Sequence, residues 1–410
     1  MLRLAVLAVA AAAAGDHDDV AAYLRGVTDA ANRVRPCNSR KISPGGRLAV
    51  ALGICVYIDP DGAIVHAHDG HDVAGSGKQM MMDSMLRGVV SELAAARALP
   101  GRWTSFSVVY TAAGPVRREA FPVVAIGKRD PAQAGLLMPN PFFVSPAWWR
   151  NYSAAAAARA TARPFDHRVD RVLFRGACGP GARARVELAS LGDLGGALDA
   201  GFTSVDGYDS LEACVADLSA RHDLPRRPGD ATLRRKVRME DYSRYRYLLH
   251  MPGSATGSYS RNLQYLWSHG AVVLVWKHAA VEWYYRHLVD GVHYLSVDAS
   301  TLRRRVDELR NSPERRDALV AGARAFYDAH LAAPRLVERW RVFLSGLAAA
   351  QPVSKPPRGA DAARTCTCDR RLFHAHAACQ KCEIVEKNAV AMARFIGLLP
   401  RSREVGVGVP

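Results

Sequence analysis

The spacing of apolar and polar positions along this chain changes several times, and each change marks an element. Apolar residues dominate RLAVALGICVYI (47–58), halt at Asp59-Pro60-Asp61-Gly62, and resume in AIVHAHD (63–69). Pro presets φ and Gly supplies the conformation a tight reversal needs, so the two runs predict a hairpin. From Met80 to Ala98 the period becomes helical, with Leu86, Val89 and Leu93 on one face. Phe106–Tyr110 and Phe121–Ile126 read as strands. GLLMPNPFFVSPAWW (135–149) is loop-rich and aromatic, and its rings either stack on sugars or fill a core. An Ala-rich helix (154–160) then links two halves.

The second half begins with a strand, Val169–Phe174, that runs into Arg175-Gly176 and the Gly/Pro loop ACGPGARAR. Leu218–Arg238 is polar, carries Pro225 and Pro228, and reads as a surface excursion. A tyrosine-rich strand (Tyr245, Tyr247, Leu248, Leu249) stops at Pro252-Gly253, and a Gly/Ser/Thr loop follows from Ser254 to Ser260. A helix opens at Ser258 or Ser260, each a good N-cap, and buries Leu263, Leu266 and Trp267. AVVLVW (271–276) is a continuous apolar run of the kind covered on both faces of a sheet. Strand, small-residue loop, helix, strand is a βαβ unit, and a helix start aimed from such a loop is a ready phosphate site. Further helices are expected across Leu302–Leu331, restarting at Ser312-Pro313-Glu314, and from Pro334 to Leu347 with Leu336, Trp340 and Phe343 inward. The pattern as a whole is α/β.

At 410 residues the chain is long enough for two cored domains. A net charge of +16 invites a nucleic-acid or membrane-surface reading. The cations are mostly Arg and scattered, with no zinc-finger spacing, RNA-binding motif or basic amphipathic helix, so nucleic acid is discounted. MLRLAVLAVAAAAA reads as a signal peptide (1–14) cleaved near Ala14, and no later stretch reaches the length of a membrane span. Eight cysteines in such a chain favour disulfides, with Cys37–Cys55 and Cys178–Cys214 as plausible pairs. Asn151-Tyr152-Ser153 is a glycosylation sequon. Beyond a Pro/Gly/Ala linker (352–363), Cys366, Cys368, Cys379 and Cys382 with His374 and His376 form either two disulfides or a zinc site.

YRYLLHMPG, SYSRNLQYLWSHGAVVL and EWYYRHLVDGVHYLSVD, in that order, resemble the C-terminal core of the CAP10-type glycosyltransferases, the lumenal protein O-glucosyl- and O-xylosyltransferases and their fungal relatives. LFRG (173–176), with Arg183 beyond it, resembles the family's Phe-Arg-Gly-Ser element. The resemblance covers roughly 105–345 and is strongest after 170.

It implies a GT-B-like fold: two Rossmann-like domains facing a cleft, an acceptor-side domain (16–165) and a nucleotide-sugar domain (166–350), followed here by a Cys-rich tail (351–410). It also implies an inverting transfer of glucose or xylose from a UDP-sugar, the donor substrate, to a protein or glycan hydroxyl. No metal or cofactor is expected, because arginines and backbone N–H groups neutralise the leaving diphosphate. Carried over by position, Arg175, Gly176 and Arg183 support the diphosphate, although Arg183 and Arg185 also suit a solvated helix face. Gly257, Ser258, Ser260 and Arg261 form its cradle with Asn262, on which the family's arginine falls by strict register, with Arg261 beside it. Glu282 is placed to bond ribose or sugar hydroxyls. The family's catalytic Asp falls on Gly135, which leaves Asp130 as the nearest carboxylate to serve as base. The alternative is a non-catalytic nucleotide-sugar- or glycan-binding protein on the same fold; a basic extracellular binding protein is a third reading. The secretory lumen (endoplasmic reticulum or Golgi), or secretion, is the expected location.

Overall fold

The computed structural model describes residues 19–27, 54–67, 77–109, 121–225, 232–253, 262–352 and 361–362. A helix over 19–26 (α1) leads in. β1 (Ile54–Ile58) and β2 (Ile64–Ala67) pair antiparallel with Ile58 opposite Ile64. The hairpin closes as its sequence predicts. Asp59 Oδ1 accepts from the N–H groups of Asp61 and Ala63, and Gly62 takes φ +90.

α2 (Gly77–Ala95) covers this sheet, followed by β3 (Thr104–Val109), β4 (Val123–Ala125) and β5 (Leu136–Leu137). α3 (Pro146–Ala162) starts from Ser145, whose hydroxyl accepts from Trp148 N, with Pro at its first turn. Phe142, Phe143 and Trp149 are buried, so the aromatic stretch builds core and offers no sugar platform.

The second sheet is wholly parallel. β6 (Val169–Cys178) leads through α4 (Arg183–Ala189) to β7 (Leu198–Val205) and α5 (Leu211–His222). β8 (Tyr245–His250), the single-turn α6 (Leu263–Leu266), β9 (Val272–Trp276) and β10 (Leu295–Val297) complete it. Its spatial order is β10-β9-β8-β6-β7. α7 (Leu302–Arg310), α8 (Pro313–Phe326) and α9 (Ala333–Ala350) follow, α8 opening after Ser312 with Pro at its first turn as expected. Among the described residues no helix is long and apolar enough to cross a membrane.

The α/β, GT-B-like organisation in two lobes is present, with two differences from expectation. The first sheet runs β11 (Asp361–Ala362), β2, β1, β3, β4, β5 and is mixed: β3, β4 and β5 are parallel, whereas the hairpin side is antiparallel. It is therefore not a Rossmann-like sheet throughout. Second, the chain returns to the first lobe after residue 332. α9 buries Trp340 and Phe343 against Phe106 of β3, and β11 (Asp361–Ala362) pairs with β2. The first lobe thus takes residues from both ends of the chain. One apolar cluster runs from Val56 and Phe106 through Met138 and Trp149 to Leu248, Trp283 and Phe326, so the lobes share a core.

Cys178, at the end of β6, is bonded to Cys214 of α5. Cys55 is also disulfide-bonded. Cys37, the signal segment and the Cys/His-rich tail lie outside the described residues.

Candidate active site

From β6 the chain goes outward to β7, then crosses to β8 on the other side of β6. Between the carboxyl ends of β6 and β8 lies the topological switch point, where open α/β sheets bind their ligands. Both ends lead into the small-residue loops singled out in the sequence. Gly257, Ser258, Ser260 and Arg261 lie outside the described residues; Asn262 and the residues after it are described.

The helix expected to open at Ser258 or Ser260 is, among the described residues, Leu263–Leu266, closed by a turn in which Gly270 takes φ +58. A single turn has little macrodipole to offer a phosphate. Its burial is as predicted, since Leu263, Leu266 and Trp267 are all in the core.

Arg185, rather than its neighbour Arg183, organises the switch point. It is buried, stacks over the Phe174 ring at 5.6 Å, and donates to Ala177 O (2.8 Å) and Pro252 O (2.9 Å). One guanidinium thus ties the end of β6 to the end of β8. Gly176 makes room for it: a Cβ there would lie 2.8 Å from Arg185 Nη1 and 2.7 Å from the Phe174 ring. Gly176 therefore matters for packing. The solvated-helix reading holds for Arg183 and fails for Arg185. Arg183 is exposed at the first position of α4 and makes no hydrogen bond or ion pair among the described residues, which leaves it able to meet an anion.

Arg175 departs from its expected role. Its Nη2 pairs with Asp199 Oδ1 at 2.6 Å, its Nη1 donates to the carbonyls of Asp199 and Phe174, and its Nε donates to Arg235 O. Tyr245 donates to the other Asp199 oxygen at 2.9 Å. With its donors engaged inside the sheet, Arg175 joins β6 to β7 and does not reach for a diphosphate.

Glu282 also departs. It is 1% exposed, and its Oε2 accepts from Asn140 Nδ2 at 2.5 Å. Asn140 bonds reciprocally with Gln264 (3.0 and 3.2 Å), and its Oδ1 accepts from Phe142 N. The Tyr285 hydroxyl lies 3.5 Å from Glu282 Oε1 and 3.4 Å from His250 Nε2, while His250 Nδ1 is 3.0 Å from Asn262 Oδ1. Burial pushes the Glu282 carboxyl up to about 8, although Asn140, Tyr285 and Tyr284 hold it down in part. Burial likewise depresses His250, and His278 to about 4; their rings lie 5.3 Å apart. A buried carboxyl in this setting packs and bonds protein; it is not presented to sugar hydroxyls.

Asp130 is exposed. Its Oδ1 accepts from Ala132 N at 2.9 Å, and its own N–H and that of Arg129 donate to Gln133 Oε1. It lies two residues past Lys128, whose backbone exchanges hydrogen bonds with Val281 (2.9 and 2.8 Å), the residue before Glu282. Asp130 is therefore an accessible carboxylate beside the lobe junction. Gly135 has φ +90, where a side chain is strained. No group of three or more metal-ligating side chains occurs among the described residues.

His250, Asn140 and Gln264 were not candidates in the sequence, and Arg185 was read there only with the arginine-rich loop or as part of a solvated helix face. Arg185 had a signal, since three arginines cluster there, but which one turns inward depends on the helix phase. Asn140 and Gln264 had none, because their importance comes from meeting across 124 residues of chain.

The sequence profile of glycosyl transferase family 90 matches residues 147–388, which includes the whole parallel sheet. The chain belongs to glycosyl transferase family 90, and is thus a glycosyltransferase by family. No curated protein matches it significantly. Among solved structures it is similar to Anabaena Alr3699/HepE in complex with UDP and glucose, at 10% identity and a TM-score of 0.35 over 65% of this chain and 74% of that one. WaaG, a glycosyltransferase involved in lipopolysaccharide biosynthesis, matches at 16% identity and a TM-score of 0.26 over 48% and 51% of the two chains. These likenesses are distant, and the assignment rests on the family match.

Proposed function

We propose that this protein moves glucose or xylose from a UDP-sugar to a hydroxyl of a protein or glycan acceptor, with inversion and without a divalent metal. One observation carries the reading. The family-matched sheet has its switch point between β6 and β8, where Arg185 holds the two strand ends together and Arg183 stands exposed beside them. The donor diphosphate would sit there, met by Arg183, Asn262 and the segment with Gly257, Ser258, Ser260 and Arg261 that joins β8 to α6.

In the reaction an acceptor oxygen attacks the anomeric carbon as its bond to the diphosphate oxygen breaks. The electron pair leaves with UDP, and the acceptor proton passes to a carboxylate. Asp130 is our candidate for that base: it is exposed and close to the lobe junction. The disulfide Cys178–Cys214 supports placing the protein in the oxidising secretory lumen.

A second reading has its own observation. Gly135 occupies the family's carboxylate position with φ +90, which suits a protein that binds a nucleotide-sugar without turning it over. A UDP-release assay with UDP-glucose and UDP-xylose separates the two. We expect turnover that Asp130→Asn lowers about a hundredfold, within the usual range for loss of a general base. Turnover retained by Asp130→Asn removes Asp130 as base. UDP binding with no release from either donor, with any acceptor tried, establishes the second reading.

A further inference from the structure

A lysine of the first lobe stands at the carboxyl edge of the second-lobe sheet. Lys128 follows β4, and its backbone N–H and carbonyl bond the carbonyl and N–H of Val281 at 2.9 and 2.8 Å. Val281 lies in the segment that leaves the carboxyl end of β9. The same segment carries His278, whose ring is 5.3 Å from that of His250, the last residue of β8. The two backbone bonds thus pin Lys128 beside the ends of β8 and β9, on the edge that holds the switch point.

Its side chain is placed unlike those of the arginines around it. Lys128 is 8% exposed, yet its ammonium makes no hydrogen bond or ion pair among the described residues. Nζ is not one of the sealed side-chain atoms, so the stem is covered while the tip keeps an opening. Burial lowers its pKa and the charge of Asp19, in α1, raises it. That carboxylate is already shared. Its Oδ2 accepts from Arg339 Nη2 at 2.9 Å and pairs with Arg286 Nη1 at 3.0 Å. One carboxylate therefore serves three cations, and of these Lys128 is the one that does not touch it.

A metal-free transfer needs positive charge at the departing diphosphate. Arg175 is engaged by Asp199 and backbone carbonyls, and Arg185 by the carbonyls of Ala177 and Pro252. Arg183 stands exposed on the β6 side. We propose that Lys128 is a catalytic residue supplied by the first lobe, whose ammonium meets the donor diphosphate from the side of β8 and β9. This deepens the donor-site reading and rests on it. As the bond from the anomeric carbon to the diphosphate oxygen breaks, its electron pair goes to that oxygen, and Lys128 keeps its proton throughout. The charge on that oxygen is larger in the transition state than in the bound donor, so the contact aids turnover as well as binding. Asp130, the candidate base, follows Lys128 by two residues. One loop of the first lobe would then bring both the cation for the leaving group and the base for the acceptor.

The test uses the full-length protein and compares UDP with uridine, which lacks the phosphates. Lys128→Met keeps most of the stem and removes the charge. Calorimetric titration should show UDP binding weakened about tenfold and uridine binding unchanged within about twofold, as for loss of one charge-assisted bond to phosphate. With UDP-glucose as donor, kcat should fall about tenfold as well. Asp19→Asn leaves Lys128 in place and removes the opposing charge. It is expected to tighten UDP about threefold with uridine unchanged, and it carries the test if Lys128→Met does not fold.

UDP bound by Lys128→Met as tightly as by the wild type overturns the proposal, and so does an equal loss of UDP and uridine. Where only Asp19→Asn folds, UDP affinity that stays level or falls overturns it. A wild type that binds no UDP removes the donor-site reading, and with it the ligand named here. Unchanged UDP binding in Lys128→Met removes Lys128 alone and leaves that reading standing.

Discussion

Asn140 donates to Glu282 across the junction of the two lobes, at 2.5 Å and out of reach of water. The contact joins residues that the sequence presents as unrelated: one in an aromatic loop, the other at the head of a Glu-Trp-Tyr-Tyr run. It makes Glu282 an internal group whose protonation is tied to folding.

The first prediction follows from that tie. The folded carboxyl titrates near about 8 and the ordinary value is 4.5. Between these pH values the native state holds a proton that the unfolded chain has released. Stability from this group is therefore complete below about 4.5 and declines as pH rises through about 8, by at most about 1.4 kcal/mol per pH unit. Glu282→Gln removes the dependence. Melting scans from pH 5 to 8.5 should show the variant gaining steadily on wild type, by about 2 °C or more at pH 7.5. Parallel curves would mean that Glu282 is ionised in the fold.

On the acid side the sign is reversed. His250 and His269 are buried and His278 is half-buried, all three neutral, with burial lowering His269 to about 3 and His278 to about 4 from an ordinary 6.5. Below about 6.5 the unfolded state takes up protons that the native state refuses, so stability is lost as pH falls towards those values. Each histidine adds up to about 1.4 kcal/mol per pH unit. Urea unfolding at pH 7, 6 and 5 should show a slope that His269→Gln makes shallower. The Tyr152 hydroxyl, 3.0 Å from His269 Nε2, can bond the replacement amide.

Arg175 and Arg183 should separate stability from donor binding. Arg175→Ala leaves half-buried Asp199 with Tyr245 as its side-chain partner among the described residues. A loss of about 3 kcal/mol is expected, as for a broken buried pair, with UDP affinity of the folded fraction unchanged within about twofold. Arg183→Ala should leave the melting temperature alone and weaken UDP binding about tenfold, as for loss of a charge-assisted bond to phosphate. Calorimetric titration with UDP beside a melting curve reads both, and an exchange of the two phenotypes would restore Arg175 to the site.

Much of the fold was legible in the chain because local chemistry is enough for it. The Pro-Asp-Gly turn makes a hairpin whatever surrounds it. AVVLVW has the β-branched run of a covered strand, and Ser312-Pro313 carries a local helix-start signal. Leu263, Leu266 and Trp267 are buried as their spacing requires. The family pattern likewise sits on consecutive residues, and so it could be recognised before any contact was known.

What only the tertiary structure decided concerns partners far apart in sequence. An arginine reads the same whether it meets a phosphate or Asp199, and a glutamate the same whether it meets ribose or Asn140. Helix phase turned Arg185 inward to two carbonyls and left Arg183 in solvent. The return of α9 and β11 to the first sheet has no local signal, because strand pairing and helix docking depend on which apolar face remains uncovered. The sequence by itself determined most of the elements, the βαβ order and the family, but not β7 or α5, whose Leu218 it placed in a surface excursion. The packing of the lobes decided which charged groups are spent inside the protein and which remain for a ligand, because a buried charge must be paired within the fold and an exposed one need not be.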